Sequence, residues 1–337
     1  MKTVFRATAI AAIAMVSASA FAAADFDANI ELDSRVENNS RGASQVGRVE
    51  LNASKKMGSK YFIAGRATYL AHPDGTAGTD DLWAQMGSDT VDIKLGRFEA
   101  ANLFQTPGDV LVEYAGFSPY QANVLRGRQG AYSNGVAPFH AAVNVQLGGG
   151  LTLEIGGVSS KANGGATGLR PVLSYANGPL HLAAGVEALR YQGTAATTTT
   201  NTTSCTLVGS TCTFGTTTTA ATAGVSRTGY GLTGDYNFGG VTLYANYAAA
   251  KTALGLKQNT FALMAGIGNL TVASVFGKQE NPGNEDMKVT TFWAAYAIPF
   301  FDVKGATITP AVSFSSGGGS NNAKDSSGFA LRVHYDF

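Results

Sequence analysis

Four cations stand at polar positions of alternating segments in the first third of the chain: Arg35, Arg48, Arg66 and Lys94. A long stretch beginning at Glu99 carries the opposite sign in Glu99, Asp109 and Glu113, with Arg126 and Arg128 on its return limb. Guanidiniums on one side of a narrow aqueous gap and carboxylates on the other set up a transverse field. Such a field orders water and favours polar or ionic solutes over apolar ones of equal size. Bond-making chemistry has less to work with. His72, His140, His181 and His334 are scattered without metal-ligand spacing. Glu31 and Asp33 share a strand face as glycosidase acids do, but two polar residues two apart are ordinary on any wet strand. "GYGLTG", Gly229 to Gly234, spells a dinucleotide fingerprint yet runs into "DYNFGG", not a helix, so its context is wrong. No Ser-His-acid set stands out. Neither catalysis, a metal nor a cofactor is expected.

Such charges need a scaffold that holds them apart across water. Lys2 and Arg6 are followed by the apolar run "ATAIAAIAMV" and the small-residue stretch "SASAFAAA". A basic start, a short apolar core and an A-x-A-like end make a secretory signal peptide, assigned here to residues 1–23 and cleaved between about Ala20 and Ala24. Without Lys2 and Arg6, 22 basic residues stand against 23 acidic ones, a formal charge of −1. A basic footprint for nucleic acid is missing, and nucleic acid is excluded as a partner. The export route is oxidising, so Cys205 and Cys212, in "NTTSCTLVGSTC", are expected to form a disulfide; a metal site needs more ligands.

Residues 24–337 are dominated by apolar–polar alternation, as in "FDANIELDSR", "FHAAVNVQL", "LTLEIG", "GVTLYANY" and "TITPAVSF". Alternation puts one kind of side chain on each face of a strand. Sixteen such runs of roughly ten residues, the length a tilted strand needs to cross a bilayer, are bounded by Gly, Pro, Asn or Asp. Their connections alternate between long and short: "NNSRGA" then "MGSK", "HPDGTAG" then "SDT", "KANGGAT" then "NG". "TALG" and "PFFDVK" are closer in length and break the rhythm. Short turns at one end and longer loops at the other are the pattern of bacterial outer-membrane barrels. An even strand number lets the last strand close on the first, and sixteen strands enclose water where eight do not. The expected fold is therefore all-β: a transmembrane antiparallel barrel of sixteen strands. A secreted β sandwich also alternates, but it does not account for the strand number and loop rhythm together.

The chain ends in "GFALRVHYDF", with Phe329, Leu331, Val333, Tyr335 and Phe337 on one face. A terminal Phe on such a strand resembles the C-terminal signature of Gram-negative porins, and the likeness runs from "ADFDANIELDSR" to "VHYDF". The resemblance is to the general trimeric sixteen-stranded porins. It implies a homotrimer in the bacterial outer membrane, in contact with its lipid and lipopolysaccharide, passing small hydrophilic solutes. It also implies that Phe337 and Tyr335 are read by the outer-membrane insertion machinery, and that the third external loop folds into the lumen. Arg48 and Arg66, spaced to reach mid-height on adjacent strands, match the arginine cluster that faces loop acids in that family. "LFQTPGDVLVEYAGF" replaces the PEFGG loop tip of enterobacterial porins, and "ADFDANIELDS" replaces the SSVTLYG-like first strand of betaproteobacterial ones. Solute preference is left open by these departures.

Counting loops makes the stretch from about 99 to 135 the third external one. It holds Phe104, Val110, Leu111, Tyr114, Phe117 and Tyr120, too apolar to stand in water, and is expected to pack inside and narrow the channel. If Phe104, Tyr114, Phe117 and Tyr120 form a stacking track instead, the channel prefers sugars or organic acids. An outer-membrane hydrolase or a surface adhesin are the readings from other classes. The Thr-rich stretch of about 193–224 is read as a surface loop. Arg97, Arg190, Lys251, Lys278 and Lys288 fall on the apolar phase at loop ends of their strands, and Lys55 falls near a turn. Charge on the lipid face costs roughly 2–4 kcal/mol at mid-bilayer for Arg or Lys and about 0–1 near the interface, so this placement fits the register. The loop-end cations are candidates for binding phosphates of outer-leaflet lipid.

Overall fold

The computed structural model describes residues 24–38, 42–127, 138–160, 165–193, 197–208, 211–219, 223–252 and 255–337, with the backbone alone for 197–208, 211–219 and 252. The expected signal peptide, residues 1–23, and Arg128 lie outside the described residues.

Alternation produces strands throughout. The first nine are β1 (Asp25–Glu37), β2 (Ala43–Met57), β3 (Tyr61–Ala71), β4 (Ala77–Ser88), β5 (Val91–Arg97), β6 (Phe139–Gly148), β7 (Leu151–Ser159), β8 (Ala166–Asn177) and β9 (Leu180–Tyr191). A two-stranded hairpin of β10 (Thr197–Val208) and β11 (Thr211–Thr219) stands apart from the main sheet. The sheet resumes with β12 (Val225–Asn237), β13 (Val241–Thr252), β14 (Lys257–Ile267), β15 (Leu270–Gln279) and β16 (Met287–Tyr296). It ends with β17 (Ile298–Pro299), β18 (Ala306–Gly319) and β19 (Ser326–Asp336). β17 continues β16 in one register against β18, Ala295 facing Ala311 and Ile298 facing Ile308, so the two make a single stave. β9 pairs directly with β12 across the inserted hairpin.

Sixteen staves result, each antiparallel to its neighbours, and β1 pairs with β19 from Asn29–Asp336 to Glu37–Gly328. The barrel is closed. Phe337 takes part in the closure, its amide donating to the Ala28 carbonyl at 2.9 Å and its carbonyl accepting from the Ala28 amide at 3.0 Å. Among the described residues no helix is long and apolar enough to cross a membrane. Large apolar side chains are exposed on one phase of every long strand, as Leu51, Ile63, Leu82, Leu173, Leu232, Leu263 and Val333 illustrate. A free-standing exposure of this extent suits hydrocarbon, not water. Aromatic residues bracket the band, with Tyr230, Phe261, Phe276 and Phe314 nearer the long loops and Tyr61, Tyr236, Tyr296 and Phe337 nearer the short turns.

Candidate functional site

The polar phase of β19 and β1 to β4 carries one continuous chain of ion pairs. Arg35 bonds Asp33 at 2.7 Å, and Asp33 takes a forked contact from Arg332 at 2.6 and 2.8 Å. Arg332 reaches on to Glu31 at 3.1 Å, Glu31 to Arg48 at 3.1 Å and Arg48 to Glu50 at 3.2 Å. Glu50 then meets Arg66 at 3.4 Å, and Arg66 meets Asp81 at 3.5 Å. Signs alternate along the whole row, four guanidiniums with four carboxylates. Register builds it: closing the barrel sets Asp33 opposite Arg332, and the first hairpin sets Glu31 opposite Arg48. Opposite charges directly across a ladder reinforce each other. Lys94 follows along the wall, its ammonium 3.9 Å from the centre of the Trp83 ring and 4.9 Å from that of Phe98.

Residues 98–127 connect β5 towards β6 and lie against the polar face of the remaining strands. The Ala101 amide donates to Glu154 of β7 at 3.0 Å. Gln105 and Asn246 of β13 exchange two bonds at 3.0 Å. The Val110 carbonyl accepts from Arg35 of β1 at 3.1 Å, and the Ala115 amide donates to Ser315 of β18 at 2.8 Å. Tyr120 and the Leu125 amide both donate to Glu187 of β9 at 2.8 Å. Arg170 of β8 stands 3.3 Å from Glu187 and donates to the Ala122 carbonyl at 3.2 Å. Arg170 and Glu187 are both wholly buried, so their charges persist because each has the other and the segment's polar groups, with Glu154 a second anion 3.8 Å from Arg170. Burial, then the Glu187 charge, pushes the Tyr120 phenol well above its usual range, which keeps it a donor.

Leu103, Phe104, Tyr120 and Ala122 bury themselves against Val172, Ala248, Ala262, Met264 and Trp293. Two of the "GYGLTG" glycines, Gly229 and Gly231, have their use here. A Cβ on Gly231 would stand 2.7 Å from that of Ala122 and 2.9 Å from that of Leu103, closer than packed carbons come. Only bare backbone lets the segment lie down on β12.

The sequence-predicted residues therefore separate into two groups. Arg35, Arg48, Arg66 and Lys94 do share one wall, but Arg48 and Arg66 take their partners from that wall and not from the segment's acids. On the segment, Glu99 pairs with Arg126 at 2.9 Å, and Glu99 and Gly127 form a bridge that draws its two ends together. Asp109 lies beside Arg35 and Arg332; the protein around it pushes its carboxyl up to about 6, against those two cations and against the water to which its side chain opens. The Glu113 amide donates to Ser313 at 3.4 Å. Phe104 and Tyr120 are buried anchors, leaving Tyr114 and Phe117 as the partly exposed aromatics. The side chains of Cys205 and Cys212 lie outside the described residues. Glu50, Asp81 and Arg332 are additions that the sequence reading lacked, and Glu31 and Asp33 join them after being read there as ordinary wet-strand acids. Their signal was available: each sits on the polar phase within two strands of an expected arginine.

The histidines are dispersed. His72 contacts the Gly47 carbonyl at 2.9 Å, His140 stacks on Phe98 at 3.9 Å, and His181 meets Asp235 at 2.9 Å. Among the described residues no group of His, Cys, Asp and Glu is arranged to hold a metal ion.

No protein-family model matches the sequence, and no curated protein sequence is similar to it. Solved structures do match. OmpT of Vibrio cholerae, expressed in the outer membrane, superposes with a TM-score of 0.62 at 14% identity over 93% of this chain and 97% of that one. An anion-selective porin from Comamonas acidovorans gives 0.61 at 14% identity over 93% and 99%. OmpF of Salmonella typhi, in complex with daunomycin, gives 0.62 at 11% identity over 93% and 97%. With sixteen closed staves and these neighbours, the chain has the barrel fold of the outer-membrane porins.

Proposed function

We propose that the protein is an outer-membrane porin, a water-filled channel for passive diffusion of small hydrophilic solutes and ions. In this reading residues 98–127 are folded into the lumen and the free passage runs between that segment and the wall of β19 and β1 to β4. The observation that carries it is the row of alternating charges on that wall, of which Arg48 and Arg66 remain about a third exposed, at 38% and 33% of their side chains. A passage lined by four cations and four anions in contact is close to neutral yet strongly polar. It excludes apolar solutes by the cost of stripping water while discriminating little between anions and cations. The transverse field expected from segment acids facing wall arginines is replaced, in this reading, by a field running along the wall.

The same reading has the chain exported by a leader over residues 1–23, assembled as a homotrimer, embedded among outer-membrane lipid and lipopolysaccharide, and inserted through recognition of Tyr335 and Phe337. A bridge between Cys205 and Cys212 in the Thr-rich loop belongs to it as well. No cofactor and no catalytic step are part of it.

Single-channel recording of the purified protein in planar bilayers tests the proposal. Open, weakly selective conductance is expected. Exchanging Arg48 and Arg66 for Gln leaves Glu31, Glu50 and Asp81 undercompensated, so the reversal potential under a salt gradient shifts towards cation preference. A closed barrel, or a reversal potential untouched by the double exchange, removes the charged row from the passage.

A further inference from the structure

The apolar face of the barrel has a dent. A depression of about 480 Å³ is framed by Leu153, Leu173, Val186, Leu232, Tyr230 and Tyr247, with the small Ala184 and the ring of Pro171 at its floor. Pro171 lacks an amide hydrogen, and the β8–β9 pairing lapses between Leu169–Ala188 and Val172–Gly185 without a change of register. From the dent's upper edge three strands run towards the long-loop end on the same phase. They read Val186, Ala188, Arg190 on β9; Tyr230, Thr228, Ser226 on β12; and Tyr247, Ala249, Lys251 on β13. Register places them side by side: Val186 faces Tyr230, Ala188 faces Thr228 and Arg190 faces Ser226, while Thr228 also faces Lys251. Small residues thus form an apron between an apolar hollow and two exposed cations. Arg190 and Lys251 flank β12 two strand spacings apart, roughly 10 Å. Neither takes part in an ion pair among the described residues. Lys251 also stands directly opposite Lys257, an arrangement that is unfavourable without an anion nearby. Lys257 has Glu280 at 3.7 Å; Lys251 has no such relief.

We propose that this face is a binding site for one phosphate-bearing lipid of the leaflet at the long-loop end, an acyl chain lying in the dent and phosphate bridging Arg190 and Lys251. The occupant is a lipid and not free phosphate because hollow and cations are joined by a passage that only an amphiphile spans. The proposal rests on the outer-membrane reading above and gives its lipid contact an address. Scattered snorkelling cations need no hollow beneath them; this pair has one.

Native mass spectrometry of the full-length barrel in detergent, with purified lipid A (two phosphates, several acyl chains) added, tests it. One retained lipid A is expected, with monophosphoryl lipid A held at least tenfold more weakly and inorganic pyrophosphate unable to displace it. The R190Q/K251Q double variant is expected to lose the retained lipid through charge, and Ala184→Leu through filling the dent while leaving every charge in place. Equal retention by all three proteins, or retention lost on charge exchange but untouched by Ala184→Leu, overturns the site. Conductance is recorded on the same samples. Binding with no conductance in any of them strikes the channel reading and leaves the lipid site standing; conductance without selective binding does the reverse.

Discussion

Asp109 is where a single residue links the segment to the charged wall. The chain turns at this tip, the Val110 carbonyl accepts from Arg35, and the Asp109 carboxyl shares the space of Arg35, Arg332 and Asp33. Surrounding protein raises its proton affinity from an ordinary 3.8 to about 6, so the group takes up a proton as pH falls through that value. Because the folded value is the higher one, its contribution to stability is present below pH 3.8 and lost as pH rises through 6; acid does not loosen the fold at this point. Acid does change the field. In the proposed channel, losing one negative charge beside two arginines would make the passage more attractive to anions, so the anion-to-cation permeability ratio should rise between pH 7 and pH 5 in reversal-potential measurements. Asp109→Asn should show the acidic ratio already at pH 7 and little further change. A pH response undiminished in that variant assigns the effect to another group. The arginines of this site were legible from the sequence by phase alone, since alternation tells which face a side chain occupies. Their partners were not. Glu31 and Asp33 read as two unremarkable acids on a wet strand, and became half of an ordered row only when closure set Asp33 against Arg332 and hairpin register set Glu31 against Arg48.

The segment of residues 98–127 shows what a strand pattern cannot convey about an element without one. Its apolar content announced burial, but its path across β7, β8, β9, β13 and β18 depends on contacts far apart in sequence, such as Ala115 with Ser315 and Tyr120 with Glu187. Two of its supports are separable by mutation. Glu187→Ala leaves buried Arg170 with Glu154, 3.8 Å away, as its one remaining anion and removes the acceptor of both Tyr120 and the Leu125 amide; breaking a buried pair outright costs about 3–5 kcal/mol, less what Glu154 retains here. The loss falls on the segment's seat more than on the barrel, whose backbone ladder is untouched. Gly231→Val changes no charge and pushes at Ala122 and Leu103 instead. Both variants should give noisier, larger single-channel currents and faster proteolytic cutting within 98–127, with the barrel's resistance to heat in detergent largely kept. If both conduct as the parent does, the segment does not bound the passage. The strands themselves followed from alternation; at "PFFDVK", where the loop rhythm breaks, β17 carries the β16 stave past the end of its pairing with β15 while still paired to β18. The β10–β11 hairpin within the Thr-rich stretch did not, because runs of Thr favour strands without supplying an apolar phase to flag them.

At the scale of the whole molecule, a closed sheet has no spare edge, so the seam between β1 and β19 must form for any of the other pairings to be protected from lipid. Phe337 is the last residue of that seam, and two separate roles are assigned to it: holding Ala28 and being recognised before the barrel exists. Energetics tells them apart. Its two backbone bonds to Ala28 contribute about 1 kcal/mol each, and its ring already stands more than half exposed at 58%, so removing it takes little burial away. Deleting Phe337 should therefore lower barrel stability by only about 2–3 kcal/mol, and the shortened chain should still refold in detergent and run as a compact, heat-modifiable band. Arg332→Ala is the contrasting change. It leaves Asp33, 2% exposed, with Arg35 as its one remaining cation in the row, and should weaken the seam more than loss of the terminal Phe does. In cells the order should invert. If the proposed recognition of Phe337 by the insertion machinery holds, a chain lacking it should accumulate outside the membrane or be degraded, while the Arg332→Ala chain inserts and then melts early. Outer-membrane yield in cells set against midpoint of unfolding in detergent makes the comparison. Were the two variants to rank alike in both measurements, Phe337 would be a structural residue of the seam and nothing more.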